Sequence, residues 1–141
     1  MNESDFPNTA TFLSALQATN YDVLLIDLFF DGTEESELSA SEVAALRAKA
    51  NGGSRIVLAY MSIGEAEHYR YYRKGSWNDN KPVWLAGENS DLPGNYKVRY
   101  WSDDWKEIIY ENDQSYLKKI IDAGFDGVYL DIIDAYEYFE D

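Results

Sequence analysis

The stretch "GFDGVYLDIIDAYEYFED", residues 124–141, decides how the chain is read. It opens with a glycine suited to closing a helix. It continues as a short apolar strand that ends in Asp131, with Asp134 three residues on. A strand that follows a helix and carries carboxylates to its far end is the unit from which parallel sheets are built. Ligands of such sheets bind where the strands end.

Upstream, the same pattern repeats. "YDVLLIDLFF" (21–30) is apolar on both faces and interrupted only by Asp27, as in a strand buried on both sides. "RIVLAYM" (55–61) is a second strand of this kind, and "YKVRYW" (96–101) alternates enough to be a third. Asn8 caps a helix over 9–18 that turns Phe12, Leu13 and Leu16 to one side. Ser39 and Glu42 make a capping box for a helix to about residue 49, closed by Asn51-Gly52-Gly53. Residues 102–104 start a long helix that carries Trp105, Ile108, Ile109, Leu117, Ile120 and Ile121 inward until Gly124. Between them, 64–73 reads as a short helix or turn. Residues 74–95 form an irregular connection of a length that usually serves a function.

Four strands separated by helices predict right-handed βαβ units in an α/β fold. The chain then forms a single domain over 1–141. It is either a small doubly wound sheet or about half of an eight-stranded (β/α)8 barrel of the TIM type. Four strands leave two open edges, which predicts self-association.

The composition narrows the partners. With 26 acidic and 12 basic residues the net charge is −14, so nucleic acid is an unfavourable partner while a cationic or neutral ligand is compatible. The absence of cysteine excludes disulfides, cysteine-built zinc sites and thiol nucleophiles. "MNESDFPNTATF" lacks the basic start and apolar run of a signal peptide, and no apolar run approaches the ~18 residues of a membrane span. As written, the chain reads as cytoplasmic, or as a trimmed form of an exported protein. Aromatic residues make up 16% of it; core packing takes most of them, and stacking on the C–H faces of a ligand is the other use of such a surplus.

The strand ends collect acids. Asp27 follows the first strand; Ser62, Glu65 and Glu67 follow the second; Trp101 closes the third; Asp131 and Asp134 follow the fourth. A crowded set of carboxyls can keep one member protonated while another stays ionised. Glycoside hydrolysis needs two such groups and little else. Competing readings are structural. Asp27 can cap the turn after it, Glu65 and Glu67 can be first-turn acids of a helix, and Asp134 can cap a last turn. His68, the only histidine, has no signature around it and reads as a surface residue. Acids without histidine or cysteine would suit Mg²⁺ or Ca²⁺, but no loop has EF-hand spacing. No metal or cofactor is assigned.

"AYMSIGEAEHYRYYR", "LPGNYKVRYWSDDW" and "AGFDGVYLDIIDAYEYF" together closely resemble the endo-α-1,4-polygalactosaminidase family of glycoside hydrolases, over roughly residues 20–141. The resemblance implies a (β/α)8 barrel, an exported enzyme and an amino-sugar polysaccharide as substrate, polycationic when deacetylated. It implies that Asp131 is the strand-end catalytic acid and that Glu65 and Glu67 lie beside the sugar. It also puts Tyr60, Tyr69, Arg70, Trp101 and Asp134 in motif positions that line the cleft. Arg70 would orient a carboxylate or a sugar hydroxyl, with a scaffolding ion pair as the equal alternative. Relatives continue past "DIIDAYEYF" into strands expected to bring the second catalytic carboxyl. The expectation is therefore an incomplete site, in which Glu65 is the remaining candidate partner, or a carbohydrate-binding remnant without turnover.

Overall fold

A computed structural model describes residues 1–140. The chain divides into two compact units, residues 1–60 with 120–129, and residues 61–119 with 130 onward.

The first unit keeps the predicted element order, but its second helix ends at Leu46 and not near residue 49, and the strand expected over 21–30 spans 23–26 with only one face buried. Helix α1 (Thr9–Gln17) starts at Asn8, whose side chain accepts the Thr11 N–H at 3.0 Å. Strand β1 (Val23–Ile26) follows, then α2 (Ala40–Leu46), whose Ser39–Glu42 capping box is complete. Strand β2 (Ile56–Ser62) pairs in parallel with β1 in the register Val23↔Ile56 to Ile26↔Ala59. The final strand β6 (Gly127–Asp131) lies on the other side of β2, so the order is β1-β2-β6. Gly124, at φ 84°, ends the helix before it, a conformation that glycine alone adopts freely.

Alternate residues of β1 and β2 face the helices. Leu24, Ile26, Val57 and Ala59 pack there with Phe12, Leu13, Leu16, Val43 and Leu46 in a dry core. The opposite face is also apolar, yet Val23, Leu25, Ile56 and Tyr129 are 46–50% exposed. Arg55 is buried at the far ends of both helices. Its guanidinium donates to the carbonyls of Leu46 (2.6 Å), Leu16 (3.0 Å) and Ala48 (2.9 Å), and to the Thr19 hydroxyl (2.8 Å). A cation there satisfies carbonyls that a helix end leaves open. Asp126 joins the strands: its Oδ2 accepts the Val57 N–H at 2.8 Å, and its Oδ1 faces Arg47 at 3.3 Å. These contacts, that of Val57 foremost, hold its pKa below the usual carboxylate value.

The second unit corrects several expectations, among them that 74–95 is irregular, since it holds a strand. Residues 64–73, expected as a short helix or turn, begin with strand β3 (Glu65–Glu67) and then continue in turns. The segment expected as a third parallel strand is β5 (Asn95–Val98), which runs antiparallel between β3 and β4 (Leu85–Glu88). The parallel sheet therefore has three strands, not four, and the fold is mixed α/β. Alternation in "YKVRYW" carried this information, because half-buried alternation marks antiparallel strands whereas parallel ones are apolar throughout.

The helix expected from 102 to 123 is broken. It runs as α3 (Asp103–Lys106), a π-helical turn (Glu107–Glu111) and α4 (Tyr116–Ala123). Asn112 breaks it by capping: its side chain accepts the Gln114 N–H at 2.7 Å, and Ser115 Oγ accepts the Lys118 N–H at 3.2 Å. The last described element is a 3₁₀ turn, Ala135–Phe139. Among the described residues no helix is long and apolar enough to cross a membrane.

Candidate active site

Asp131 ends β6 half-buried. Its own carboxylate Oδ1 accepts the N–H of the next residue, Ile132, at 2.9 Å, and its carbonyl accepts the Ile63 N–H at 3.1 Å. Ile132 stands at φ 59°, in the left-handed region. A β-branched residue there is a genuine outlier, and such backbone persists only where surrounding contacts over-determine it. Gly64 is one of those contacts. A Cβ at Gly64 would come within 2.2 Å of the Ile132 carbonyl and 2.3 Å of the Ala135 Cβ, so only glycine fits. The β2–β3 turn and the turn after Asp131 thus meet backbone to backbone. A cavity of about 150 Å³ lies against them, lined by Ile132, Ile133, Tyr136 and Tyr100 among others.

Aromatic rings continue from this turn. Trp101, half exposed, meets Phe139 edge-on at 4.9 Å and Tyr100 at 5.1 Å. Tyr136 and Tyr138 are exposed to a similar degree. Asp134 is exposed at the N-cap position of the last turn but makes no capping bond there.

The two glutamates of "GEAE" are buried on β3. Glu65 has 0% exposure. Its carboxylate takes Lys97 at 2.7 Å, Asn89 at 2.8 Å and Asn95 at 3.2 Å. Glu67 binds the Arg70 guanidinium at 2.8 Å and the Tyr69 hydroxyl. Arg70, also buried, donates to the Tyr116 hydroxyl at 2.8 Å and sits over the rings of Tyr69 and Tyr116. Burial and the neighbouring Glu67 push the Tyr72 hydroxyl far above its usual pKa, so it serves as a neutral group. Ser62 is buried, and its hydroxyl donates to the Glu65 carbonyl at 3.3 Å, closing the β2–β3 turn.

The remaining predicted residues belong to the first unit. Asp27 follows β1, and its Oδ1 accepts the Phe29 N–H at 2.9 Å, which is the turn-capping alternative. Tyr60 is half-buried on β2 between buried Ala59 and Met61. His68 is exposed in the second unit, with its ring 3.2 Å from the Gly94 carbonyl. Among the described residues no group of three or more histidines and acids is arranged to hold a metal ion.

Several participants were not singled out from sequence. Lys97, Asn89 and Asn95 gather on Glu65 through strand pairing, which no local pattern announces. Ile132 runs against its own propensity. Gly64 stands in "AYMSIGEAEHYRYYR", where nothing local marks it as a point of close approach.

The chain matches the family model described as glycoside-hydrolase family GH114 over residues 3–141. An uncharacterized protein of Thermotoga maritima is 42% identical over 124 residues, 88% of this chain and 36% of that protein. One from Methanocaldococcus jannaschii is 42% identical over 148 residues, 98% of this chain and 40% of that protein. The chain thus spans about two fifths of the length of these relatives. Among solved structures, Aspergillus fumigatus Ega3 in complex with galactosamine superposes with a TM-score of 0.58 at 27% identity, covering 86% of this chain and 43% of that one. The glycoside hydrolase domain of PelA from Pseudomonas aeruginosa shares the fold, with a TM-score of 0.57 at 17% identity over 89% of this chain and 42% of that one.

Proposed function

The chain belongs to glycoside-hydrolase family GH114, and on that premise we propose that it serves an α-1,4-linked galactosamine polymer, with Asp131 as the carboxylate that meets the scissile bond. The observation that carries this is the Asp131 turn: a carboxylate at the end of a parallel strand, fixed by the N–H of a strained Ile132. Strain of this kind collects at working sites. The likeness to a galactosamine-bound protein supports the sugar. So does the net charge of −14, which favours a polymer of ammonium groups. Trp101 and Tyr136 offer ring faces for the pyranose, and exposed Asp134 offers a second acid to its amine.

Hydrolysis requires two carboxyls across the bond. Glu65 is the other candidate, but its zero exposure and its three donors favour holding Lys97 and the β3–β5 pair in place. Glu67, Tyr69 and Arg70 form a scaffold under the same sheet in this reading. The sealed state of Glu65 also favours a second reading, in which the chain grips the polymer without cutting it.

The three-stranded parallel sheet fits the same proposal as part of a (β/α)8 barrel. A parallel sheet is normally covered on both faces, and here one apolar face is half exposed, as an arc of a barrel would leave it. Self-association through the open sheet edges is a separate option, and a monomeric mass at high concentration would remove it.

The deciding assay incubates the chain with oligogalactosamine and measures new reducing ends. If the proposal holds in full, product forms and Asp131→Asn lowers the rate by about 10²–10⁴-fold. Binding without product leaves the second reading. Product formation unaffected by Asp131→Asn would remove Asp131 from the chemistry.

A further inference from the structure

A cleft of about 570 Å³ opens on the second unit, in the size range of small-molecule sites. It shares no lining residue with the cavity at the Asp131 turn. Two features that the proposed activity leaves without a role build it. One is the segment that leads into β4, which brings Trp77 and Trp84 to the cleft. The other is the π-helical turn Glu107–Glu111, a rare arrangement found mostly at functional sites, which brings Glu107, with Asp104 just ahead of it.

The aromatic side is rigid. Trp77 and Trp84 are buried and meet edge-on at 5.0 Å, and Trp84 is braced by Trp105 at 5.0 Å. Tyr71 lines the same side, held against Tyr72 and Tyr116. Asp104 and Glu107, both exposed, line the cleft as well. Among the lining residues two carboxylates stand against one ammonium, Lys74, while Arg73 and Lys119 lie over the Trp77 and Tyr71 rings at 5.0 and 5.2 Å without lining the cleft themselves. Such a cleft does not suit an anion. A purely apolar ligand would strip water from two carboxylates with nothing in return. A ligand with a C–H face and a cationic group satisfies both kinds of lining residue.

We propose that this cleft is a second saccharide site, which takes one protonated aminopyranose unit of a polymer against the aromatic wall with its ammonium at Asp104 and Glu107. The choice of an amino sugar rests on the proposed function above. The site would hold the polymer independently of the chemistry at Asp131, so that grip survives when cleavage is removed.

Residue-resolved NMR of the full chain, titrated with deacetylated α-1,4-galactosamine oligomer, tests this. The expected result is saturable shifts of the Trp77 and Trp84 indole N–H signals and of the amides over 107–114, retained in Asp131→Asn. The exposed double variant Asp104→Asn/Glu107→Gln should weaken these shifts about tenfold in affinity. The N-acetylated oligomer, which lacks the charge, should lose a similar factor. Shifts confined to residues near 131–136 would overturn the cleft and leave the proposed function standing. Shifts confined to the cleft would uphold it and remove the Asp131 turn as a sugar site. No shift at millimolar oligomer would overturn both. Equal affinity in the double variant would overturn the cleft.

Discussion

The two units bury charge in opposite ways. The first buries Arg55, and all of its partners but one are backbone carbonyls at helix ends. The second buries Glu65, Glu67 and Arg70, whose ion pairs and most of whose hydrogen bonds run to other side chains. The first arrangement completes secondary structure that the local sequence already favours. The second joins side chain to side chain, so it specifies a geometry and not merely a fold. Substitutions should separate the two.

The largest effect is expected in the second unit. Glu67→Ala leaves the Arg70 guanidinium buried without its carboxylate and should cost about 3–5 kcal/mol in urea unfolding. Glu67→Leu with Arg70→Met should recover most of that, since removing both charges is often neutral. If the double variant is no better than the single, the pair is more than a desolvation problem. In the first unit, Arg55→Met removes four donated bonds at the helix ends and should cost about 2–3 kcal/mol. A cost equal to that of Glu67→Ala would erase the contrast.

Smaller effects sharpen the Asp131 turn. Gly64→Ala forces a methyl against the Ile132 carbonyl and should cost about 1–3 kcal/mol. Ile132→Gly should be neutral or stabilising by about 1 kcal/mol, because relief of the left-handed backbone offsets the lost side chain. Thermal melts of the two variants should therefore move in opposite directions or differ clearly. The smallest effect concerns acid. The Asp126 pKa is depressed in the folded chain, so its contribution is present above about pH 4 and fades as pH falls through the lower folded value. Asp126→Asn should flatten the stability profile in that acid range and change its slope little near neutrality.

Legibility followed the same division. Asn8, the Ser39–Glu42 box, Gly124 and the strands around 23–26, 56–62 and 127–131 were readable because caps and apolar runs act over a few residues. Two errors came from signals present but weighed wrongly. Alternation at 96–101 marked an antiparallel strand, and Asn112 to Ser115 carried the caps that break the helix. Of the candidate site, Asp131 at a strand end was visible in sequence, whereas Glu65 and Glu67 gave no sign of being buried.

By itself, the sequence determined the βαβ core of the first unit, the strand that ends in Asp131 and the family, because these rest on local pattern and on motifs in a fixed order. Tertiary structure alone decided that Glu65 is sealed by Lys97, Asn89 and Asn95, that Gly64 admits no side chain, and that Ile132 is held in a conformation its own side chain opposes. The physical reason is that burial and strain are set by what packs against a residue, and those neighbours come from distant parts of the chain.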